Sequence, residues 1–180
     1  LIVVPQSCYL PAGFSVNNGK SRRSWGPAVQ LYSVRSRRNW GMGDFTDLYD
    51  LVDWCHDEGA GVIGLNPLHT LFPTKPNSAS PYSPSTRLFL NILYLDVEAI
   101  DDFQTCDDAR RLVYSPDFQS SLESFRQADL VPYQDVLEAK LQVLNLLYQD
   151  FRNQHIQEGS PRAEAFRNFC EQKGETLLYL

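Results

Sequence analysis

Ala28-Val29-Gln30-Leu31-Tyr32-Ser33-Val34, then Asp44-Phe45-Thr46-Asp47-Leu48 running on to Gly59, then Gly61-Val62-Ile63-Gly64-Leu65 decide the fold. The first run is short, β-prone and largely apolar, as a buried parallel strand should be. The middle run carries helix end signals. Asp44 is placed to accept hydrogen bonds from free backbone N–H groups as an N-cap, and Asp47 adds negative charge to the first turn. Phe45, Leu48, Val52 and Cys55 recur at three- and four-residue steps, which predicts one buried stripe. Gly59 supplies the positive φ that commonly ends a helix. The third run reads as a second strand after a short return. Strand, helix, strand is a βαβ unit, whose right-handed crossover lays the helix on one sheet face.

Upstream, residues 1–24 combine the apolar run Leu1-Ile2-Val3-Val4 with Pro11, Gly13, Asn17-Asn18-Gly19 and a basic cluster. They read as a strand followed by an exposed connector. The opening run stops at Pro5 with no basic segment before it, so it is not a secretory signal. The chain begins without Met and ends inside Thr176-Leu177-Leu178-Tyr179-Leu180. Both ends are expected to be cuts through a longer protein. With 43% hydrophobic and 21% charged residues the chain is too apolar for disorder. No apolar run approaches the roughly 18 residues of a membrane helix, so no membrane partner is expected.

Charge is uneven. Residues 1–43 hold six of the 16 Lys/Arg and none of the 22 acids. The bases fall in two triplets, Lys20/Arg22/Arg23 and Arg35/Arg37/Arg38, in a chain of pI about 5.0. Phosphate affinity rises with the number of charges neutralised, so no nucleic-acid partner is expected and the bases read as a solvated edge. Cys8, Cys55, Cys106 and Cys170 lack both zinc-knuckle spacing and a dense disulfide framework. Reduced, mostly buried thiols and a cytoplasmic setting are the expectation, with no metal site.

From Asn66 to Asn91 the texture changes. Five of the eleven prolines fall here, amid Ser, Thr, Asn and Tyr. A loop of this length inside a compact domain is usually functional or disordered. Its apolar residues, among them Leu71, Phe72, Tyr82 and Phe89, argue against disorder. It leaves the C-terminal end of a strand, where parallel α/β folds place ligand sites. Asn91 to Val97 reads as a returning strand. Beyond it the chain is helical. Leu137, Leu141, Leu144, Tyr148 and Phe151 step along one face, and Ser160-Pro161 opens a further helix with Ala163, Phe166, Phe169 and Cys170 as its stripe and Gly174 at its end. Residues 102–175 therefore read as a helical insertion.

Catalytic groups are scarce. Gly41-Met42-Gly43-Asp44 lies between strand and helix, but Thr46 occupies the third glycine position of a dinucleotide loop and a long polar stretch precedes Gly41. The glycines read as a turn into a capped helix, and no nucleotide cofactor is expected. His56 lies near the helix end, where it is a mild stabiliser. His69, in the loop, fits a satisfied or a ligand-contacting role equally. Asp57-Glu58, Asp101-Asp102 and Asp107-Asp108 read as solvated, without the unequal environments that separate a catalytic acid from a base.

Four runs carry a family resemblance: Trp25 to Ser36, Asn39 to Phe45, Gly64-Leu65-Asn66-Pro67-Leu68-His69, and Ser78-Ala79-Ser80-Pro81-Tyr82-Ser83-Pro84-Ser85. In this order they resemble bacterial 4-α-glucanotransferases, or amylomaltases, of glycoside hydrolase family 77, densely over residues 25–98. The resemblance implies an α/β fold, the first portion of a (β/α)8 TIM barrel, left incomplete and carrying a helical insertion. It implies a connector over 1–24, the first strands and helix of the barrel with the rim loop over 25–101, and the insertion over 102–180. Such enzymes move α-1,4-glucan segments between maltodextrins by a retaining double displacement, in which one carboxylate forms a glycosyl-enzyme and another carboxyl serves as acid, then base. The family's nucleophile, acid/base and third acid lie on later strands, so no catalytic residue is assigned here, and the chain by itself is expected to be inactive. The implied partners are maltose, maltotriose and maltodextrins, without cofactor. Tyr82 matches the family tyrosine lining the subsite at the cleaved bond, with Pro81 restricting it. Asn66, His69 and Asn91 are polar neighbours or loop braces. Two other readings remain: a non-catalytic glucan-binding module, and a scaffold using the helices after residue 134.

Overall fold

A computed structural model describes residues 23–72, 74, 75 and 78–179. The strand and connector expected over residues 1–22 lie outside them. Two short parallel strands, β1 (Ala28–Val29) and β2 (Gly64–Leu65), are joined through helix α1 (Phe45–Asp57). Ala28 pairs with Gly64 and Val29 with Leu65. The expected strand–helix–strand order holds, but both strands are shorter than their sequences suggest. After Val29 the Leu31 N–H turns to the Asn66 side chain, and Leu31–Ser33 closes as a 3-10 turn. A side chain replaces the ladder partner that would have extended β1.

Helix α1 shows how local chemistry fixes an element. The Asp44 carboxylate accepts from the N–H groups of Thr46 and Asp47, and the Asp47 carboxylate accepts from the Asp44 N–H. Each acid satisfies a donor that the helix start leaves free. Gly59, at φ 76°, ends it. Gly43 approaches Leu31 so closely that a Cβ would lie 2.1 Å from its carbonyl oxygen. The stripe is narrower than expected. Cys55 is buried, whereas Val52 is 47% exposed.

The Asn91–Val97 run is not a strand. It forms 3-10 turns over Ile92–Tyr94 and Val97–Ala99, the first opened by the Asn91 side chain on the Leu93 N–H and the second by Asp96 on the Glu98 N–H. Asn and Asp favour such local side-chain bonds over a ladder. Then come α2 (Asp107–Val113), α3 (Pro116–Gln127), α4 (Tyr133–Phe151), a π turn over Arg152–Ile156, and α5 (Pro161–Lys173). Ser115 and Ser160 cap α3 and α5, each followed by proline. Two buried clusters result. Trp40, Phe103, Phe118, Leu122 and Val143 anchor one, and Leu31, Met42, Leu93, Tyr94, Val136 and Leu137 form the other.

The buried face of α4 carries Val136, Leu137, Lys140, Val143 and Leu147, while Leu141 and Tyr148 are exposed. The stripe is thus rotated from the expected one, because a lysine occupies a core position. Lys140 is 1% exposed, and its Nζ donates to the carbonyls of Leu93 and Leu95, each at 2.6 Å. On α5 the expected stripe is only partly covered: Ala163 is buried and Phe169 is 45% exposed. No helix among the described residues is long and apolar enough to cross a membrane.

Arg38 does not lie on a solvated edge. Its guanidinium grips Asp44 through two bonds (2.6 and 3.0 Å), Asp47 (3.0 Å) and Asp96 (2.6 Å). The fork geometry of arginine suits such multiple carboxylate contacts. Burial lowers the Lys140 ammonium from 10.5 to about 8, against the favourable charges of Asp44, Asp96 and Asp47. The unfolded chain therefore holds this proton more tightly than the native one. Urea denaturation at matched pH should show the stability of the native sequence relative to Lys140→Met flat below about pH 8 and rising toward 10.5. A fall across that range contradicts burial as the controlling cause.

Candidate functional site

The loop leaving β2 is tied at both ends by buried asparagines, each 6% exposed. The Asn66 Oδ1 accepts from the Leu31 N–H at 2.8 Å, and its Nδ2 donates to the Tyr94 hydroxyl at 2.9 Å and to the Pro67 carbonyl at 2.8 Å. Burial pushes the Tyr94 phenol up, with the Asn66 bond opposing. At the other end the Asn91 Oδ1 accepts from the Leu93 N–H at 3.0 Å, and the Asn91 N–H donates to the Leu68 carbonyl at 2.9 Å. Both side chains brace the stem from within the protein, away from solvent.

Between them the chain folds back on itself. His69 and Leu90 form an antiparallel bridge, and the Thr70 N–H donates to the Phe89 carbonyl at 3.1 Å. The Thr70 hydroxyl donates to the Leu90 carbonyl at 3.0 Å. Ser85 folds the outer part of the loop onto this stem. Its N–H reaches the Thr70 carbonyl at 2.9 Å, and its hydroxyl lies 3.0 Å from the Thr70 and Leu71 carbonyls. At the tip the Ser83 N–H donates to the Ser80 carbonyl at 3.1 Å. That bond closes a four-residue turn with Pro81 in the position where its fixed φ is favoured. Tyr82 follows, 70% exposed.

The five predicted residues thus occupy different depths. Tyr82 stands at the tip, Pro81 is half-buried beneath it, and His69 lies in the stem. The His69 Nδ1 is buried with no hydrogen-bond partner among the described residues. Under the loop lies an apolar cavity of about 260 Å³, lined by Thr70, Leu71, Phe72, Leu93, Tyr133 and Leu137 among others. Burial pushes the Tyr133 phenol up to about 12, with Tyr32 and Tyr94 adding to the effect. Among the described residues no group of three or more His, Cys, Asp or Glu is placed to hold a metal. Asp44, Asp47 and Asp96 are engaged by Arg38 and are not arranged as an acid and a base over a substrate.

One polar cluster was not visible in sequence. Arg162 grips Asp102 with bonds of 2.6 and 2.8 Å, and its NH1 lies 3.3 Å from the His155 Nε2. The His155 Nδ1 lies 3.0 Å from the Ser160 hydroxyl. Arginine only donates, so Nε2 accepts and Nδ1 carries the proton. His155 therefore cannot act as base toward Ser160, and the group latches the π turn to the start of α5. Asp102 is not solvated as expected: the Arg162 bond holds its carboxyl below the usual range.

An exposed aromatic ring on a braced stem can cover the C–H face of a sugar while its hydroxyl meets a sugar oxygen. Residues 29–179 match the sequence model of glycoside hydrolase family 77, 4-alpha-glucanotransferase. The 4-alpha-glucanotransferase of Haemophilus influenzae is 37% identical over 178 residues, covering 99% of this chain and 25% of that protein. That of Mycobacterium bovis is 53% identical over 88 residues, 45% of this chain and 12% of its own length. The crystal structure of amylomaltase from Corynebacterium glutamicum superposes with a TM-score of 0.69 at 37% identity, over 86% of this chain and 21% of that one. The chain spans about a quarter of the length of the Haemophilus relative.

The bonding separates brace from tip. Asn66→Leu strands the Leu31 N–H and should cost about 2 kcal/mol or more, whereas Tyr82→Ala should shift stability by less than about 0.5 kcal/mol. Denaturation midpoints of the two variants check this, and a large loss for Tyr82→Ala would make its ring a structural element.

Proposed function

The chain belongs to the 4-alpha-glucanotransferase family, glycoside hydrolase family 77, and from that premise we propose that it supplies the first part of a glucan-transferring barrel, with Tyr82 as a substrate contact. β1, α1 and β2 are the opening strand–helix–strand of a (β/α)8 barrel, within residues 25–101. Residues 102–180 form an insertion beside the cleft, and residues 1–24 connect to an upstream region. The substrates are α-1,4-linked maltodextrins, and the reaction is a retaining double displacement in the cytoplasm. Its carboxylates come from later parts of the polypeptide, so the 180-residue chain alone transfers nothing.

The observation that carries this reading is the placement of Tyr82. A ring that is 70% exposed contributes little to the core, yet the loop behind it is tied at Asn66, Thr70, Ser85 and Asn91. Ordering a loop costs roughly 1–2 kcal/mol per residue in backbone entropy. Here the cost falls on the protein before substrate arrives. A glucosyl ring then meets a surface already in place, which is how preorganisation improves binding. Phe72 and Leu88, 44% and 62% exposed, widen the apolar border that limits water beside the acceptor. Pro81 narrows the range over which the ring can swing. Asn66, His69 and Asn91 complete the polar surroundings of the loop, Asn66 and Asn91 from beneath it.

One observation favours the scaffold reading. The outer faces of α4 and α5 expose Leu141, Tyr148, Phe166 and Phe169. They do not form bare surface throughout, since Phe166 packs edge-on against Phe151 at 5.7 Å and Arg152 lies over the Tyr148 ring. A scaffold would bind no maltodextrin.

In the intact protein, Tyr82→Ala should lower kcat/KM for maltotriose disproportionation about tenfold or more, ~1.4 kcal/mol of transition-state stabilisation. An unchanged value removes Tyr82 from the site. Absence of any transfer by the intact protein removes the enzyme reading itself.

A further inference from the structure

Lys140 takes no part in the reading above, yet α4 buries it completely. Its neighbours on that face, Val136, Val143 and Leu147, are apolar. A methionine would fill the same volume without a charge to desolvate. A lysine stem is also long enough to carry its head toward water, as exposed lysines commonly do. Here the head turns inward instead. Nζ meets the Leu93 and Leu95 carbonyls at 2.6 Å each, drawing two points of one segment onto α4. The charges facing it are Asp44 and Asp47 at the start of α1, Asp96 in the gripped segment, and Arg38 from the approach to α1. The three carboxylates outnumber Arg38 by two, which favours a second cation at this place.

The gripped segment is the return end of the substrate loop. Leu93 donates its N–H to Asn91, and Asn91 donates to the Leu68 carbonyl. Two residues on, Thr70 pairs with Phe89 and Leu90 and holds Ser85 through its carbonyl. Ser85 stands three residues after Tyr82. Leu137, one turn before Lys140, lines the cavity beneath the same loop beside Leu71 and Phe72. Hydrogen bonds and the short backbone stretches between them therefore connect the insertion helix to the turn at the tip.

We propose that Lys140 is a positioning residue: through the Leu93 and Leu95 carbonyls, α4 sets where the Tyr82 turn stands over the glucan. The proposal rests on the reading of Tyr82 as a substrate contact. It gives the helical insertion a task in the reaction, with no residue of the insertion touching the sugar.

The test uses the intact protein, maltotriose as substrate, and Lys140→Met alone and combined with Tyr82→Ala. Alone, Lys140→Met should lower kcat/KM about tenfold, which is ~1.4 kcal/mol. Added to Tyr82→Ala it should change kcat/KM less than about twofold, since two residues acting through one contact do not add. Amide exchange of Ser85 and Asn91 should quicken in Lys140→Met while that of α3 stays unchanged. Equal losses in both backgrounds, or unchanged exchange at Ser85 and Asn91, overturn the proposal. If Lys140→Met does not fold, Lys140→Gln, an uncharged donor on a shorter stem, takes its place. Failure of both to fold assigns Lys140 to stability and likewise overturns the proposal. If the native protein transfers nothing, the enzyme reading falls, and exchange at Ser85 and Asn91 still decides whether Lys140 holds the loop.

Discussion

The fold depends first on one guanidinium. Arg38 meets Asp44, Asp47 and Asp96, the last 58 residues further along the chain, and so joins the start of α1 to a distant segment. Three carboxylates at such separations repel one another, and without a shared cation their burial would be costly. With it, each acid can also serve a local purpose. Asp44 and Asp47 cap α1, while Asp96 opens a 3-10 turn and accepts from the Thr46 hydroxyl at 2.7 Å. Arg126 of α3 closes the arrangement from outside by donating to the Asn39 carbonyl at 2.7 Å. The ends of α1, the 91–97 segment and α3 are thereby placed with respect to one another before apolar packing is considered.

Apolar packing then follows these polar ties. Trp40, two residues after Arg38, stacks edge-on against Phe118 at 5.2 Å and donates its indole N–H to Glu98 at 3.0 Å. Met42, on the other side of Gly41, enters the second cluster with Leu31, Leu93 and Tyr94. The Trp40-Gly41-Met42 run thus feeds one side chain to each part of the core. Gly41 sits at φ 83°, a conformation that other residues adopt at a cost. A run with the outline of a phosphate loop is here a packing hinge.

Much of this was legible in sequence where the causes are local. Asp44 and Gly59 marked the bounds of α1, and Ser160-Pro161 and Gly174 those of α5, because capping involves residues within one turn. The parallel order of β1 and β2 followed from the helix between them. The loop was visible through its prolines, and Tyr82 through the run that carries it. What escaped was settled by distant partners. The loss of β1 after Val29 depends on Asn66, and the pairing of Arg38 depends on Asp96. The buried face of α4 was misread because lysine is ordinarily exposed, and only the Leu93 and Leu95 carbonyls justify Lys140 in the core. One error had a local signal: Asn91 and Asp96 are capping residues inside the run expected to be a strand. Ser115-Pro116, inside the stretch expected to be helical, carries the same helix opening as Ser160-Pro161.

In the proposed function the protein holds its loop ready so that one aromatic ring meets the glucan. A crystal structure of the intact protein with a bound maltooligosaccharide tests that directly. A glucosyl ring should lie against the Tyr82 face, within about 4 Å, with the hydrogen bonds of Asn66 and Asn91 unchanged from those described above. Well-ordered sugar elsewhere, with Tyr82 left facing solvent, would contradict it.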